Sequence, residues 1–258
     1  MRQALHAEWT KLRTLAGPAW LVLALVALTP ALSAAAAATV SCQATGCTDD
    51  VTKLSLIGVQ AGQAVVAILT VLTITGEYGT GLIRVTLAAM PRRVTVLAAK
   101  AVVLTGVTLA AGAVAVLGSL TAGRLILPGN GFTPANGFPP LSLADGPTLR
   151  AAAGSVLYLA LIALLSLGVA TAVRDSATAM GVLFGLLYVL AAVPFLINDP
   201  DWQRLLWRIS PMNAGLAVQA TVHLDSLPLS PWAGLGVLAA WAAAALLTGG
   251  LLLRGRDA

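Results

Sequence analysis

Four stretches of the chain, Leu54 to Gly76, Ala101 to Gly123, Ala151 to Val173 and Ser176 to Asn198, each run 23 residues without an Asp, Glu, Lys or Arg. As helices rising about 1.5 Å per residue they would each reach roughly 35 Å, more than the ~30 Å hydrocarbon core of a bilayer. Two further apolar blocks, Ala19 to Ala38 and Trp232 to Leu253, bring the expected number of spans to six. A membrane β-barrel would instead alternate polar and apolar residues in segments of about ten, a pattern absent from this sequence. The fold class that follows is an all-α polytopic membrane protein, with residues 1–258 forming a single transmembrane domain.

The polar intervals carry their own patterns. Residues 1–17 put Leu5, Trp9, Leu12 and Ala16 on one helical face, with Glu8, Lys11 and Arg13 largely off it. That spacing predicts a short helix in the membrane interface before Gly17 and Pro18 turn the chain inward. The densest polar segment, 76–93, runs Gly76-Glu77-Tyr78-Gly79-Thr80-Gly81, then Arg84, then Met90-Pro91-Arg92-Arg93, with Lys100 beyond it. Its glycines and Thr80 predict a sharp exit from the bilayer, Leu82 to Ala89 a short helix, and Pro91 a break before the next one. Such a segment is either a helix held along the membrane to meet another protein or a basic loop that only sets topology.

Arg174 and Asp175 are the only charges in the tight corner from Val173 to Ser176, so the fourth and fifth spans read as an antiparallel hairpin. Residues 124–149 are rich in Pro and Gly and predict an irregular connection. Over 199–226, Asn198-Asp199-Pro200 is a helix-start pattern, and Trp202, Leu205, Leu206 and Ile209 follow at i, i+3, i+4, i+7. They predict an amphipathic helix on the outer side, ended by Ser210-Pro211 and followed by a second short helix from Met212 to Val222 that dips toward the membrane.

Composition agrees with this picture. Hydrophobic residues make up 58% and charged residues 10%, where a soluble domain carries about 25% charged, and the mean hydropathy is +0.89. The net charge of +5 changes meaning once placed on the topology. With both ends on one side, that side holds Arg2, Lys11, Arg13, Arg84, Arg92, Arg93, Lys100, Arg174, Arg254 and Arg256, ten basic residues. The other side holds five: Lys53, Arg124, Arg150, Arg204 and Arg208. The excess places both termini in the cytoplasm of a cell-membrane protein and removes the case for a nucleic-acid partner. The first span, with its long charged lead, is read as retained rather than as a cleaved signal.

Candidate chemistry is sparse. Gln60 and Gln63 lie three apart in the second span beside the small pair Gly58 and Gly62, and serve either helix packing or a polar strip along a substrate path. Gly181 and Gly185 form a similar pair in the fifth span. Cys42 and Cys47, in the first outer loop, are open to a disulfide on an oxidising face, while two thiols without further ligands do not fill a metal site. Leu82 stands where a phosphate-binding loop needs its lysine, so no Walker motif starts at Gly76 and no cofactor is expected. His6 and His223 read as surface residues, and no grouping supports catalysis. No span carries an ionisable residue near its centre, which disfavours ion-coupled transport; if the protein moves a cargo, the energy enters through a partner.

The order of these pieces resembles the ABC-2 family of ABC transporter permeases, particularly its Ala- and Leu-rich actinobacterial forms. The strings that carry the resemblance are LHAEWTKLRTL at 5–15, TGEYGTGLIRVTLAAMPRRVTVLAAKA at 75–101, ISPMNAG at 209–215, LSPWAGLGVLAAW at 229–241 and the terminal LLLRGRDA. The resemblance implies that the segment after the second span is a coupling helix docked on a separate ATP-binding subunit, with Glu77, Tyr78, Arg84, Arg92 and Arg93 near that contact and Arg174 and Asp175 at a smaller one. It further implies two copies of the ATP-binding subunit, a second permease subunit, contact with membrane lipid, and export of a drug, peptide or lipid-like substrate without ATPase motifs in this chain. From a different class, the alternative is a non-transporting membrane scaffold or sensor that docks a cytoplasmic partner.

Overall fold

Lipid offers the backbone no hydrogen-bond partners, so each spanning segment must satisfy its own amides and does so as a helix. A computed structural model describes residues 2–42, 47, 49–82 and 93–255. Six helices in it are long and apolar enough to cross a membrane, and the chain is a multi-pass α-helical membrane protein. We number α1 Arg2–Thr14, α2 Ala16–Thr39, α3 Val51–Ser55, α4 Val59–Gly79, α5 Arg93–Ile126 and α6 Gly146–Val173. There follow α7 Ser176–Leu196, α8 Pro200–Ile209, α9 Pro211–Leu216 and α10 Pro231–Gly255. The spans are α2, α4, α5, α6, α7 and α10. Six crossings return the chain to the side from which it started, here called the terminal face; the opposite side is the far face.

Helix α6 forms the centre, with α10, α5 and α4 packed around it. Its inward residues, among them Tyr158, Leu159, Ile162, Leu165 and Leu167, are fully buried. With apolar lipid outside, nothing hydrophobic drives helices together, and close backbone approach must supply the attraction. At the α2–α4 crossing a Cβ on Gly58 would stand 2.0 Å from the Thr29 carbonyl oxygen, and at the α6–α10 crossing one on Gly168 would stand 2.3 Å from the Ala245 carbonyl carbon. Glycine is what lets these two crossings form. Gly181, by contrast, has nothing within 4 Å and faces away from the bundle.

Several expected boundaries shift. The second span starts at Val59 rather than Leu54, because Asp50 caps the short α3 by accepting from the Lys53 N–H at 3.0 Å. It also continues through Gly79, so Gly76, Glu77 and Tyr78 sit in its last turn and not in a loop; the chain leaves the helix at Thr80 and Gly81, where φ is +73°. Helix α5 is 34 residues long, about 50 Å, and takes in Lys100. The expected short helix from Leu82 to Ala89, with Arg84, Pro91 and Arg92, lies outside the described residues apart from Leu82 itself.

The fifth span is locally irregular: an α-helix to Phe184, a π turn over Gly185–Val189 and a 3-10 turn over Val193–Leu196. At the far face, Asp199 caps α8 by accepting from the N–H groups of Asp201 at 2.9 Å and Trp202 at 3.2 Å. The expected apolar stripe of α8 does not turn into the protein. Trp202, Leu205 and Ile209 are exposed, an arrangement suited to a helix lying on lipid.

Candidate functional site

The polar residues of the terminal face converge on one cluster. Lys100, in the second turn of α5, is 2% exposed. Its Nζ donates to Glu8 Oε2 of α1 at 2.6 Å and to Glu77 Oε1 of α4 at 2.7 Å. Lys11 of α1 closes the ring from the more exposed side, its Nζ donating to Glu8 Oε1 at 3.0 Å and Glu77 Oε1 at 2.8 Å. Two lysines and two glutamates thus hold three helices together with no net formal charge. Isolated, any of these charges would be expensive to bury; together they pair, leaving Glu77 Oε2 without a donor among the described residues. Desolvation works to lower the Lys11 pKa, but the hydrogen bonds and negative charges of Glu77 and Glu8 outweigh it and hold it above the ordinary lysine value.

This cluster supplies the partners that the reading of α1 left unnamed. Ala4, Glu8 and Lys11 recur at helical spacing on its inner face, Glu8 being 3% exposed, while Trp9 is 51% exposed. The helix turns its charged stripe inward because partners wait on α4 and α5, and leaves the tryptophan exposed. Periodicity alone assigns charge to the water side, and nothing local in the sequence marks Lys100 or Glu8 as partners.

Beside the cluster, the Arg174 guanidinium lies 5.3 Å from the centre of the Tyr78 ring, a cation–π contact. Arg174 ends α6 in a left-handed conformation, φ 67°, its N–H donating to the Ala170 carbonyl at 2.9 Å. Asp175 then caps α7, accepting from the Thr178 N–H at 2.8 Å and hydroxyl at 2.7 Å. Those bonds hold the Asp175 carboxyl below its ordinary pKa. The Ser176 hydroxyl donates to Thr75 Oγ1 at 2.9 Å, fastening the corner to α4. Arg93 reaches across to α10, donating to the Leu253 carbonyl at 2.8 Å. The structure therefore gathers Glu77, Tyr78, Arg93, Arg174 and Asp175 on one face, with Glu77 buried and committed to lysines and Asp175 exposed. Arg84 and Arg92 fall outside the described residues.

The two glutamines part company. Gln63 is fully buried; it accepts from the Tyr158 hydroxyl, and its amide donates to the Met212 sulfur at 3.2 Å, joining α4, α6 and α9. Gln60 borders a cavity of about 320 Å³ together with Tyr188, Trp207, Met212 and Asn213, and its carbonyl accepts from the Tyr188 hydroxyl at 2.6 Å. At the far face, Cys42 and Cys47 form a disulfide with Cα atoms 6.0 Å apart. Asp50 binds the loop before α10 there, accepting from the Thr221 hydroxyl at 2.8 Å and the Val222 N–H at 3.2 Å. Among the described residues no group of three His, Cys, Asp or Glu could hold a metal ion.

No protein-family model matches this chain, and neither does any curated protein.

Proposed function

We propose that the chain is the membrane-spanning permease subunit of an ATP-driven exporter of the ABC-2 kind. It works with a separate ATP-binding subunit in two copies and a second permease subunit, sits in the cell membrane with both termini in the cytoplasm, and moves a drug, peptide or lipid-like substrate outward. The observation that carries the reading is the joint at the terminal face. Glu77 ties the last turn of α4 to α1 and α5 through Lys11 and Lys100, and the adjacent Tyr78 meets the α6–α7 corner at Arg174. A displacement applied just after Gly81, or at Asp175, reaches four spans and the N-terminal helix at once. A protein driven by a partner needs such a place, and the cavity bordered by Gln60 gives a cargo a polar patch on the far-face side.

The test is purification from native membranes under mild detergent. The proposal expects a soluble nucleotide-hydrolysing protein to accompany the chain. Replacing Arg174 and Asp175 together by Ala should leave the chain in the membrane yet reduce permease-stimulated ATP hydrolysis by at least about fivefold, the low end of ordinary coupling between sites. A chain that comes down alone, or hydrolysis indifferent to the double replacement, refutes it.

A further inference from the structure

One cleft opens at the terminal face beside the ionic cluster. It is a cavity of about 390 Å³ between α1, the start of α2 and the last turns of α4. Leu15, Leu21, Leu69 and Leu72 make its walls, and the Glu8, Lys11 and Glu77 cluster lies at its polar end. Leu15 and Leu72 are 58% and 44% exposed, so the walls open sideways at the level where helix ends meet the membrane interface.

The floor holds an unmet acceptor. Glu77 is 6% exposed, and while its Oε1 accepts from both lysines, its Oε2 is buried with no hydrogen-bond partner among the described residues. A buried carboxylate oxygen without a donor is costly, and Glu77 is one of the residues that line the cleft. We propose that the cleft binds a phospholipid whose head carries a primary ammonium, the ammonium donating to Glu77 Oε2 and an acyl chain lying against Leu21, Leu69 and Leu72.

Charge and geometry select this occupant. The four ionic side chains sum to zero, so a lipid of net negative charge gains nothing general from the site, whereas a primary ammonium supplies the donor that Oε2 lacks. A trimethylammonium head has the charge but no N–H. The apolar walls need a chain as well, which a small amine does not bring. The lipid then seals the open side of the ionic joint from water, which strengthens every pair inside it.

The experiment is native mass spectrometry of the full chain, purified in mild detergent and equilibrated with equal amounts of phosphatidylethanolamine, phosphatidylcholine and phosphatidylglycerol. Phosphatidylethanolamine should be retained about tenfold over the other two, as a hydrogen bond to a charged group warrants, and its N-monomethyl form, which keeps N–H donors, should behave likewise. Leu72→Trp, which fills the groove away from the ion pairs, and independently Leu15→Trp at the mouth, should abolish the preference. Equal retention of the three lipids overturns the proposal, as does a preference that survives both replacements.

Discussion

Lys100 Nζ lies 2.6 Å from one carboxylate and 2.7 Å from another, and its side chain is almost wholly buried. Replacing it with Met leaves Glu8 and Glu77 facing each other in a desolvated pocket with only Lys11 between them. Breaking a buried pair on one side costs about 3–5 kcal/mol, so Lys100→Met should lower the thermal unfolding midpoint in detergent by a large margin. Adding Glu8→Gln removes one stranded charge and should return part of the loss; a double variant no better than the single one refutes the cluster. Lys11 contributes a pH dependence on the alkaline side. Its pKa is raised in the folded protein, so its contribution is whole below its ordinary value of 10.5 and is lost as pH climbs through the raised value. The unfolding midpoint should therefore fall more steeply on the alkaline side in the parent than in Lys11→Met.

At the level of helices, space at glycines separates packing from open surface. Gly58→Ala would put a methyl group 2.0 Å from the Thr29 carbonyl oxygen, and backbone cannot yield as a flexible side chain can. It should destabilise the chain by about 1–3 kcal/mol, the usual range for overpacking. Gly181→Ala meets nothing within 4 Å and exchanges a poor helix former for the best one, so it should leave stability unchanged or raise it; thermal unfolding of both variants side by side checks the contrast. The two glycine pairs look alike in sequence, and only their surroundings distinguish them. The same limit explains α1. The span positions were legible because lipid tolerates little but apolar side chains, and Asp199-Pro200 announced α8 because capping is local. Glu8 and Lys100 stand 92 positions apart, and periodicity, which reads one helix at a time, set Glu8 off the apolar face without naming its partner.

Across the whole molecule the two faces are fastened by different means. The terminal face is held by buried ion pairs and Arg93, the far face by the Cys42–Cys47 disulfide and neutral or half-exposed hydrogen bonds around Asp50. A disulfide suits an oxidising side, and an excess of basic residues, ten of the fifteen by the sequence reading, suits the cytoplasmic one; both arguments support the proposed orientation. Single cysteines test that orientation. Thr10→Cys lies on the exposed side of α1 at the terminal face, and Ala144→Cys in the exposed connection before α6 at the far face. A membrane-impermeant maleimide applied to intact cells should label Ala144→Cys and leave Thr10→Cys unmodified until the membrane is permeabilised. Three spans, α2, α4 and α5, separate the two positions, so one reversed result would require an even number of crossings between them, and both reversed would invert the bundle. An inverted bundle would put the Glu77–Arg174 region out of reach of any cytoplasmic ATP-binding partner, and the exporter reading would fall with it.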